Sequence, residues 1–316
     1  SRRQRQMCIR DRVPASRINA VRREALEKLY ARRAAAPVRR WKPYEVSQNG
    51  HKNTAFAGYN LEIHHLGQIT ETMYKNRPNT IYVPLAELAT HLEAAAQLIV
   101  QGFQLAVQMP RIYSDKEQPQ IEQMLQDAQK AGVSIACAMN IGQIRLLRQM
   151  GFTVHGGFGL NVCNGAALEA LKEQGIMRQT LSFELRTAQL RDIEKPIETE
   201  MIVYGHLPLM VFENCAIRRR TGKCTCEQGP TTLTDRTGQT FALIAEFGCR
   251  NTLLNSKPLF LADKTDWKKS GAAYGRICLT TESPERAAEI WSAYIEGHIL
   301  DFAQGFTRGL YQRGVE

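Results

Sequence analysis

The feature that most constrains this chain is a repeated alternation of short apolar segments with amphipathic helical segments, which begins near residue 59. Short continuous apolar segments are typical of strands buried on both faces, and intervening helices favour parallel strands. Several helical segments are followed by a glycine, the residue that most readily adopts the left-handed conformation at a helix end. The pattern therefore predicts a parallel sheet covered by helices.

Eight strand–helix units can be counted in this pattern, seven before Cys215 and one after a long interval. The predicted strands are 61–65, 80–85, 104–110, 134–140, 153–161, 179–185, 200–205 and 276–281. The predicted helices are 16–35, 87–101, 120–131, 141–150, 165–174, 187–193 and 284–296. Eight units predict an α/β fold, a (β/α)8-like barrel with a small β-rich module inserted between strands 7 and 8. Because periodicity alone does not separate closed from open sheets, a doubly wound open sheet is the alternative.

The domain organisation follows from changes in composition and in predicted secondary structure along the chain. The first residues resemble a translated sequencing adapter, and we expect them to be foreign to the protein. The inserted module contains a predicted hairpin, 232–240 followed by 241–244, with Gly238 in its turn. The expected parts are a non-native tail (1–12), a helix and linker from an upstream domain (13–58), the barrel (59–205 and 275–316) and an inserted cysteine module (206–274).

The net charge of +10 is concentrated at the N-terminus. Residues 1–42 hold 14 of the 41 Lys and Arg, which leaves 27 basic and 28 acidic side chains elsewhere. The basic segment is able to bind RNA phosphates, but no net basic field surrounds the rest of the chain. No apolar run approaches the roughly 20 residues that cross a bilayer. We therefore expect a cytoplasmic protein with no membrane partner.

A cluster of cysteines dominates the inserted module. Its members are Cys215, Cys224, Cys226 and Cys249. Clustered cysteines without secretory features favour a thiolate-bound metal over disulfides. Zinc and iron–sulfur clusters both accept four thiolates, so the metal stays open, and unligated loop cysteines are a further alternative. The scattered cysteines Cys137, Cys163 and Cys278 are expected to be core residues.

A barrel of this kind places its working residues at the carboxyl-terminal ends of the strands. The candidates there are Asn140, His155, Asn161, Asn164, Glu184, Glu200, Tyr204 and His206. Glu184 and Glu200, on consecutive predicted strands, could form a carboxylate pair or two structural ion pairs. The glycine-rich run 155–161 could bind an anion through backbone N–H groups or form a tight turn. His64 and His65 are strand neighbours, so we expect them to point to opposite faces.

Several segments together resemble the U32 (collagenase-like) peptidase family. Glu200–Gly205, followed by Leu207 and Cys215, resembles the family signature, although Pro208 stands where typical members have a first cysteine. Cys224, Cys226 and the pair Cys249–Arg250 resemble the downstream cysteines. Further resemblance lies in 17–29, 160–171, 181–185, 254–259 and 306–316, and it is best to the long subgroup with a collagenase-associated domain upstream.

This resemblance implies that the four clustered cysteines are ligands of a 4Fe–4S cluster. The long subgroup is similar to the ribosomal-RNA 5-hydroxycytidine synthase type, in which prephenate is implicated, and other members hydroxylate transfer RNA. We therefore expect RNA base hydroxylation, with ribosomal or transfer RNA and a small carboxylate such as prephenate as partners. Collagenase-like proteolysis, or a metal-stabilised fragment without catalysis, are the alternatives. The sequence contains neither a Gly-x-Ser-x-Gly elbow nor a His-Glu-x-x-His motif.

Overall fold

Parallel strands close into a barrel in the computed structural model, which describes residues 13–38, 54–225 and 231–311. The strands are β1 (Gly58–Glu62), β2 (Ile81–Pro84), β3 (Leu105–Gln108), β4 (Ile135–Ala138), β5 (Thr153–Gly156), β6 (Ile176–Thr180), β7 (Glu198–Gly205), β8 (Pro208–Phe212), β9 (Thr231–Thr234), β10 (Thr240–Ala245), β11 (Asn251–Leu254), β12 (Leu259–Phe260) and β13 (Tyr274–Cys278). The strands from β1 to β7 pair in parallel in chain order, each with the next. β13 then pairs with both β7 and β1 and closes the ring. The predicted eight-stranded barrel is confirmed, and the open sheet is excluded.

Amphipathic helices cover the outside of the barrel. They are Glu71–Lys75, Leu85–Thr90, Leu92–Val100, Gln118–Lys130, Ile141–Gln149, Gly165–Glu173, Thr187–Asp192 and Pro284–Glu296. Each long helix buries one apolar stripe; Ile121 and Leu125, for example, are fully buried. In the last helix, the Ser283 side chain caps the N-terminus, and Gly297 ends the helix with a φ of 79°. Sequence and backbone geometry thus agree at both helix ends.

The inserted segment forms a separate antiparallel sheet with the strand order β8-β11-β10-β9. Its hairpin joins β9 to β10, and Asp235 Oδ1 accepts hydrogen bonds from the backbone N–H groups of Thr237 and Gln239 in the turn. Gly238 lies in this turn with a φ of 84°, in the predicted position. The short strand β12 then pairs antiparallel with β7 and adds a ninth strand to the barrel sheet.

Contacts divide the chain into two compact units, residues 1–47 and 48–316. Within the first unit, the structure describes one helix, Ala15–Ala34, and none of its residues is buried. The second unit contains the barrel and the inserted sheet. Across the described ranges, no helix is both long and apolar enough to cross a membrane.

The predicted element boundaries were wrong in several places. The strands predicted at 61–65 and 179–185 begin three residues earlier, and they end at Glu62 and Thr180, because apolar residues continue into the turns beyond β1 and β6. The helix predicted at 87–101 is interrupted at His91, which has non-helical angles of −130° and 40°. The strand predicted at 153–161 ends at Gly156, because a 3-10 turn occupies Phe158–Leu160.

Two of the scattered cysteines also differ from the core positions predicted for them. Cys137 is buried as predicted, whereas Cys278 is only partly buried and Cys163 is exposed. Cys163 stands between Val162, which bridges to the sheet, and Asn164, which caps the next helix. Its side chain therefore points away from the core in a short connection.

Candidate functional site

A cavity of about 870 Å³ lies at the carboxyl-terminal ends of the barrel strands, and the inserted sheet borders it as well. Glu62, Gln108 and Cys278, the last residues of β1, β3 and β13, line its barrel side. Leu243 and Glu246, in and just beyond β10, line the side formed by the inserted sheet. Barrels of this class carry their active sites at this face, so the cavity is the candidate functional site.

Glu62 is the acidic residue that the first barrel strand brings to this cavity. Its Oε2 lies 3.0 Å from Nη1 of Arg276 and 3.7 Å from Sγ of Cys278. Burial raises the pKa of Glu62 above its usual value, although the charge of Arg276 opposes the shift. Burial, together with the nearby Glu62 charge, raises the pKa of Cys278 well above that of an ordinary thiol. Cys278 therefore stays protonated and is a weak nucleophile at neutral pH.

Glu246 brings a second carboxyl group to the cavity from the inserted sheet. Burial raises its pKa most strongly, a hydrogen bond with Thr252 opposes the shift, and the charge of Glu62 raises it further. Its backbone N–H donates to the Arg250 carbonyl at 2.7 Å, which holds the turn after β10. Two carboxyl groups from different sheets thus interact across one cavity, and both favour the protonated state more than exposed carboxyls do.

Arg276 anchors a buried polar network beneath the cavity. Its side chain is fully buried, its Nε lies 2.8 Å from Glu200 Oε1, and its guanidinium stacks 3.6 Å from the Tyr82 ring centroid. Glu200 also accepts hydrogen bonds from Asn60 Nδ2 at 2.5 Å and Thr180 Oγ1 at 2.6 Å. A buried charge needs such paired and hydrogen-bonded surroundings. The network therefore fixes Arg276, and through it the carboxylate of Glu62.

The predicted site residues are dispersed by the fold. His206 lines the cavity, and its Nδ1 lies 2.7 Å from the Asn255 carbonyl oxygen. His155 is buried inside the barrel, where its Nδ1 lies 2.9 Å from the Tyr82 hydroxyl and burial lowers its pKa well below the usual value. Tyr204 is buried and donates to Glu282 Oε1 at 2.8 Å. Of these three residues, only His206 borders the cavity directly.

The remaining candidates lie outside the cavity. Asn140 and Asn164 cap the helices that follow them. Asn161 is exposed, with a φ of 44°, and Glu184 is exposed in the segment beyond β6. A pair of Glu184 with Glu200 inside the barrel is therefore not formed. Glu184 was misplaced because the strand predicted at 179–185 ends at Thr180, four residues before Glu184.

His64 and His65 both line the cavity, which corrects the expectation that they point to opposite faces. The strand ends at Glu62, so the two-residue alternation no longer applies, and the ring centroids lie 4.6 Å apart. Burial, with the neighbouring His65, lowers the pKa of His64 to about 4. His65 Nδ1 lies 3.5 Å from Glu87 Oε2. At neutral pH, His64 is therefore an uncharged ring.

The glycine-rich run at the end of β5 allows close packing against the segment that follows β4. A Cβ atom at Gly159 would overlap the backbone carbonyl oxygen of Met139. A Cβ atom at Gly157 would overlap Met139 Sδ, and the backbone N–H of Gly157 donates to the Ala138 carbonyl at 2.8 Å. Close packing therefore accounts for both glycines.

The sequence did not single out the residues that meet in the cavity. Glu62 falls inside the strand predicted at 61–65, whereas in the structure it ends β1 and faces the cavity. Glu246 follows the predicted hairpin, and Gln108 lies within the strand predicted at 104–110. Correct strand boundaries would have placed Glu62 and Gln108 at the ends of their strands and Glu246 just after its strand.

A second cavity, of about 520 Å³, lies beside the inserted sheet. Three of the predicted ligands, Cys215, Cys224 and Cys249, line it, together with Arg218 and Arg219. The fourth, Cys226, lies outside the described residues. Soft thiols near guanidinium groups form a donor set that suits zinc or an iron–sulfur cluster. Among the residues that the structure describes, no three His, Cys, Asp or Glu side chains could hold a metal ion together.

The backbone at Cys249 is held in an unusual conformation. Cys249 has a φ of 60° and the preceding Gly248 a φ of 70°, so two consecutive residues are left-handed. For a residue with a side chain this conformation costs free energy, and such positions concentrate at functional sites. Gly248 borders both cavities. The turn that presents Cys249 is therefore also part of the wall of the barrel cavity.

Comparisons with known proteins point to one family. The sequence model of peptidase family U32 matches residues 71–232, just over half of the chain. The solved structure of the U32 peptidase Mk0906 is 12% identical, over 53% of this chain and 75% of its own, with a TM-score of 0.37. The spore cortex-lytic enzyme SleL of Bacillus cereus is 12% identical, over 79% and 76% of the two chains, with a TM-score of 0.39. No curated protein sequence matches significantly.

Proposed function

Because the chain belongs to peptidase family U32, we propose that it is an iron–sulfur-dependent protein that hydroxylates a base of ribosomal or transfer RNA. The observation that carries this proposal is the shared wall at Gly248. A cofactor held by the cysteines would lie next to the barrel cavity, where a substrate group would enter. Redox chemistry requires this kind of proximity between cofactor and substrate.

The four cysteines of the inserted module are the proposed ligands of a 4Fe–4S cluster. The cavity bordered by Cys215, Cys224 and Cys249 has a volume of about 520 Å³, which leaves room for a four-iron cluster. When bound, the cluster would supply one-electron chemistry.

The chain's own residues would bind and position the reaction partners. Glu62 and Glu246 would take up and release a proton in the barrel cavity, since the raised pKa of each carboxylate makes it a stronger base than an exposed one. Arg218 and Arg219 would provide counter-charges for a small carboxylate such as prephenate beside the cysteines. The basic segment at 13–42 would contact RNA phosphates.

Proteolysis is less well supported by this geometry. A peptidase needs an activated nucleophile or a metal-bound water. Cys278 lines the barrel cavity, but its raised pKa disfavours the reactive thiolate. The family description includes peptidase, so cleavage of a protein substrate is kept as an outcome of the test.

The decisive experiment measures iron, sulfide and the visible spectrum of protein purified without air, followed by incubation with RNA. We expect about four irons per chain, loss of iron in Cys215→Ser and Cys249→Ser, and retention in the exposed control Cys163→Ser. Mass spectrometry of RNA nucleosides should then show an added oxygen atom. Colourless protein with one zinc, together with cleavage of gelatin, would overturn the proposal in favour of a peptidase.

A further inference from the structure

Three polar side chains that line the barrel cavity present hydrogen-bond acceptors to it. Arg276 Nη1 and Cys278 Sγ both donate to Oε2 of Glu62. Oε1 of the same carboxylate is therefore able to accept a further hydrogen bond. Glu246 contributes a second carboxyl group from the opposite sheet. A third group, the side-chain amide of Gln108, also offers an acceptor to the cavity.

Gln108 is that third group. It is only 8% exposed, lies at the end of β3 and lines the cavity. Its Nε2 donates to Met139 Sδ at 3.1 Å, whereas its Oε1 has no hydrogen-bond partner among the described residues. Buried amide oxygens are nearly always paired, so this oxygen is an open position for a donor.

The cavity offers few cationic groups to an anion. Arg111 is the only Lys or Arg among the described residues that line it; it is exposed, lies 5.6 Å from the Phe158 ring centroid, and its charge acts on Glu246. Arg276 is fully buried behind Glu62 and is already bound to Glu62 and Glu200. His64 is uncharged at neutral pH. A carboxylate placed deep in the cavity would face the carboxylates of Glu62 and Glu246, and the charge of Arg111 already acts on Glu246.

Much of the remaining wall is apolar. It includes Met109, Met124, Met139, Phe158, Leu243 and Leu254. Such a surface suits a compact or flat apolar body, while the few polar groups fix the orientation of a ligand.

We propose that the barrel cavity binds a ligand that joins a flat apolar body to a positively charged amidine or amine, and that it selects against carboxylates. Glu62, Glu246 and the Gln108 amide oxygen accept the N–H donors of this head group. Binding of this ligand requires neither RNA hydroxylation nor a bound cluster. Any carboxylate partner would bind outside this cavity.

Benzamidine and benzoate test the assignment, because they share a ring and have opposite charges. Calorimetric titration of the full chain at neutral pH should show benzamidine binding, with benzoate weaker by tenfold or more, which is about 1.4 kcal/mol. Glu62→Gln and Glu246→Gln should each weaken benzamidine binding roughly tenfold. The control Glu93→Gln, at an exposed position on the helix Leu92–Val100, should leave it unchanged.

Because Glu62 contacts buried Arg276, Glu246→Gln provides an independent reading from the inserted sheet, and circular dichroism checks that both variants fold. Benzoate binding as tight as benzamidine, no binding of benzamidine, or benzamidine binding unchanged in both folded variants would each overturn the assignment. Since no RNA or metal is used, a negative result here leaves the hydroxylation test unaffected.

Discussion

Arg250 joins the inserted sheet to the barrel through Glu117: Nη1 lies 2.9 Å from Oε1, and Nη2 lies 3.1 Å from Oε2. The same guanidinium donates two hydrogen bonds of 2.8 Å to Glu213, just beyond β8. Arg250 is 7% exposed and directly follows Cys249. One side chain therefore ties the cysteine-bearing turns to each other and to a loop of the barrel.

Replacing Arg250 should loosen this connection. We expect Arg250→Met to lower the free energy of unfolding by about 1–3 kcal/mol, because two carboxylates lose charge-assisted hydrogen bonds. The variant should also retain less iron than the unchanged protein. Urea unfolding and iron analysis measure these effects. Arg191→Met, which removes an exposed ion pair with Asp192, is the control and should change neither quantity appreciably.

The buried pair of Arg276 and Glu200 should contribute more to stability than any exposed pair. Arg276→Met leaves Glu200 charged, 1% exposed and without its counter-ion. We expect a loss of about 3–5 kcal/mol in the free energy of unfolding. Glu198→Gln, which disrupts a pair whose carboxylate is 50% exposed, serves as the comparison. Equal losses in the two variants would contradict the role assigned to the buried network.

Much of the barrel could be predicted from the sequence, because strand and helix periodicity are local properties. The sequence predicted β13 only as the strand of an eighth strand–helix unit after a long insertion, and its pairing with β1 and β7 was expected from that count. Boundaries failed where apolar residues continue past the last hydrogen-bonded residue, as they do after β1. Sequence reasoning therefore placed the elements correctly and their ends less well.

The cysteines and the carboxyl groups of the candidate site also differ in how well the sequence predicted them. The cysteines were found because they cluster along the chain, and three of them line one cavity. Glu62 and Glu246 were not found, because they come from different sheets and interact only after the insert folds over the barrel. No local pattern marks a carboxyl group whose partner lies far away in the sequence.

The lowered pKa of His64 predicts a pH dependence of stability. Between pH 6.5 and about 4, the unfolded chain binds a proton at His64 that the folded protein does not bind. Stability should therefore fall as the pH decreases through this window, by up to about 3 kcal/mol from this residue. Thermal unfolding of His64→Gln should show a smaller loss. His91→Gln, at an exposed histidine, should follow the unchanged protein.

The thiols of Cys163 and Cys278 should differ in reactivity. Cys163 is exposed, whereas Cys278 is partly buried and has a raised pKa. Brief iodoacetamide treatment of the native protein at neutral pH should label Cys163 and leave Cys278 unmodified, as read by peptide mass spectrometry. Glu62→Gln should speed the labelling of Cys278, because it removes a negative charge that raises the pKa of that thiol. Slower or unchanged labelling in this variant would count against the proposed interaction.

Gly159 tests whether the glycine-rich run serves packing. A methyl group at this position would overlap the Met139 carbonyl oxygen, which belongs to the backbone and has no free rotation. Gly159→Ala should therefore destabilise the barrel by about 1–3 kcal/mol, measured by urea unfolding. Gly142→Ala is the matched control, because its Cβ would meet only Asn140 Oδ1 at 3.4 Å, within a helix. That change should be neutral or stabilising by up to about 1 kcal/mol. Similar unfolding midpoints for the two variants would show that close strand packing is not what requires glycine at 159.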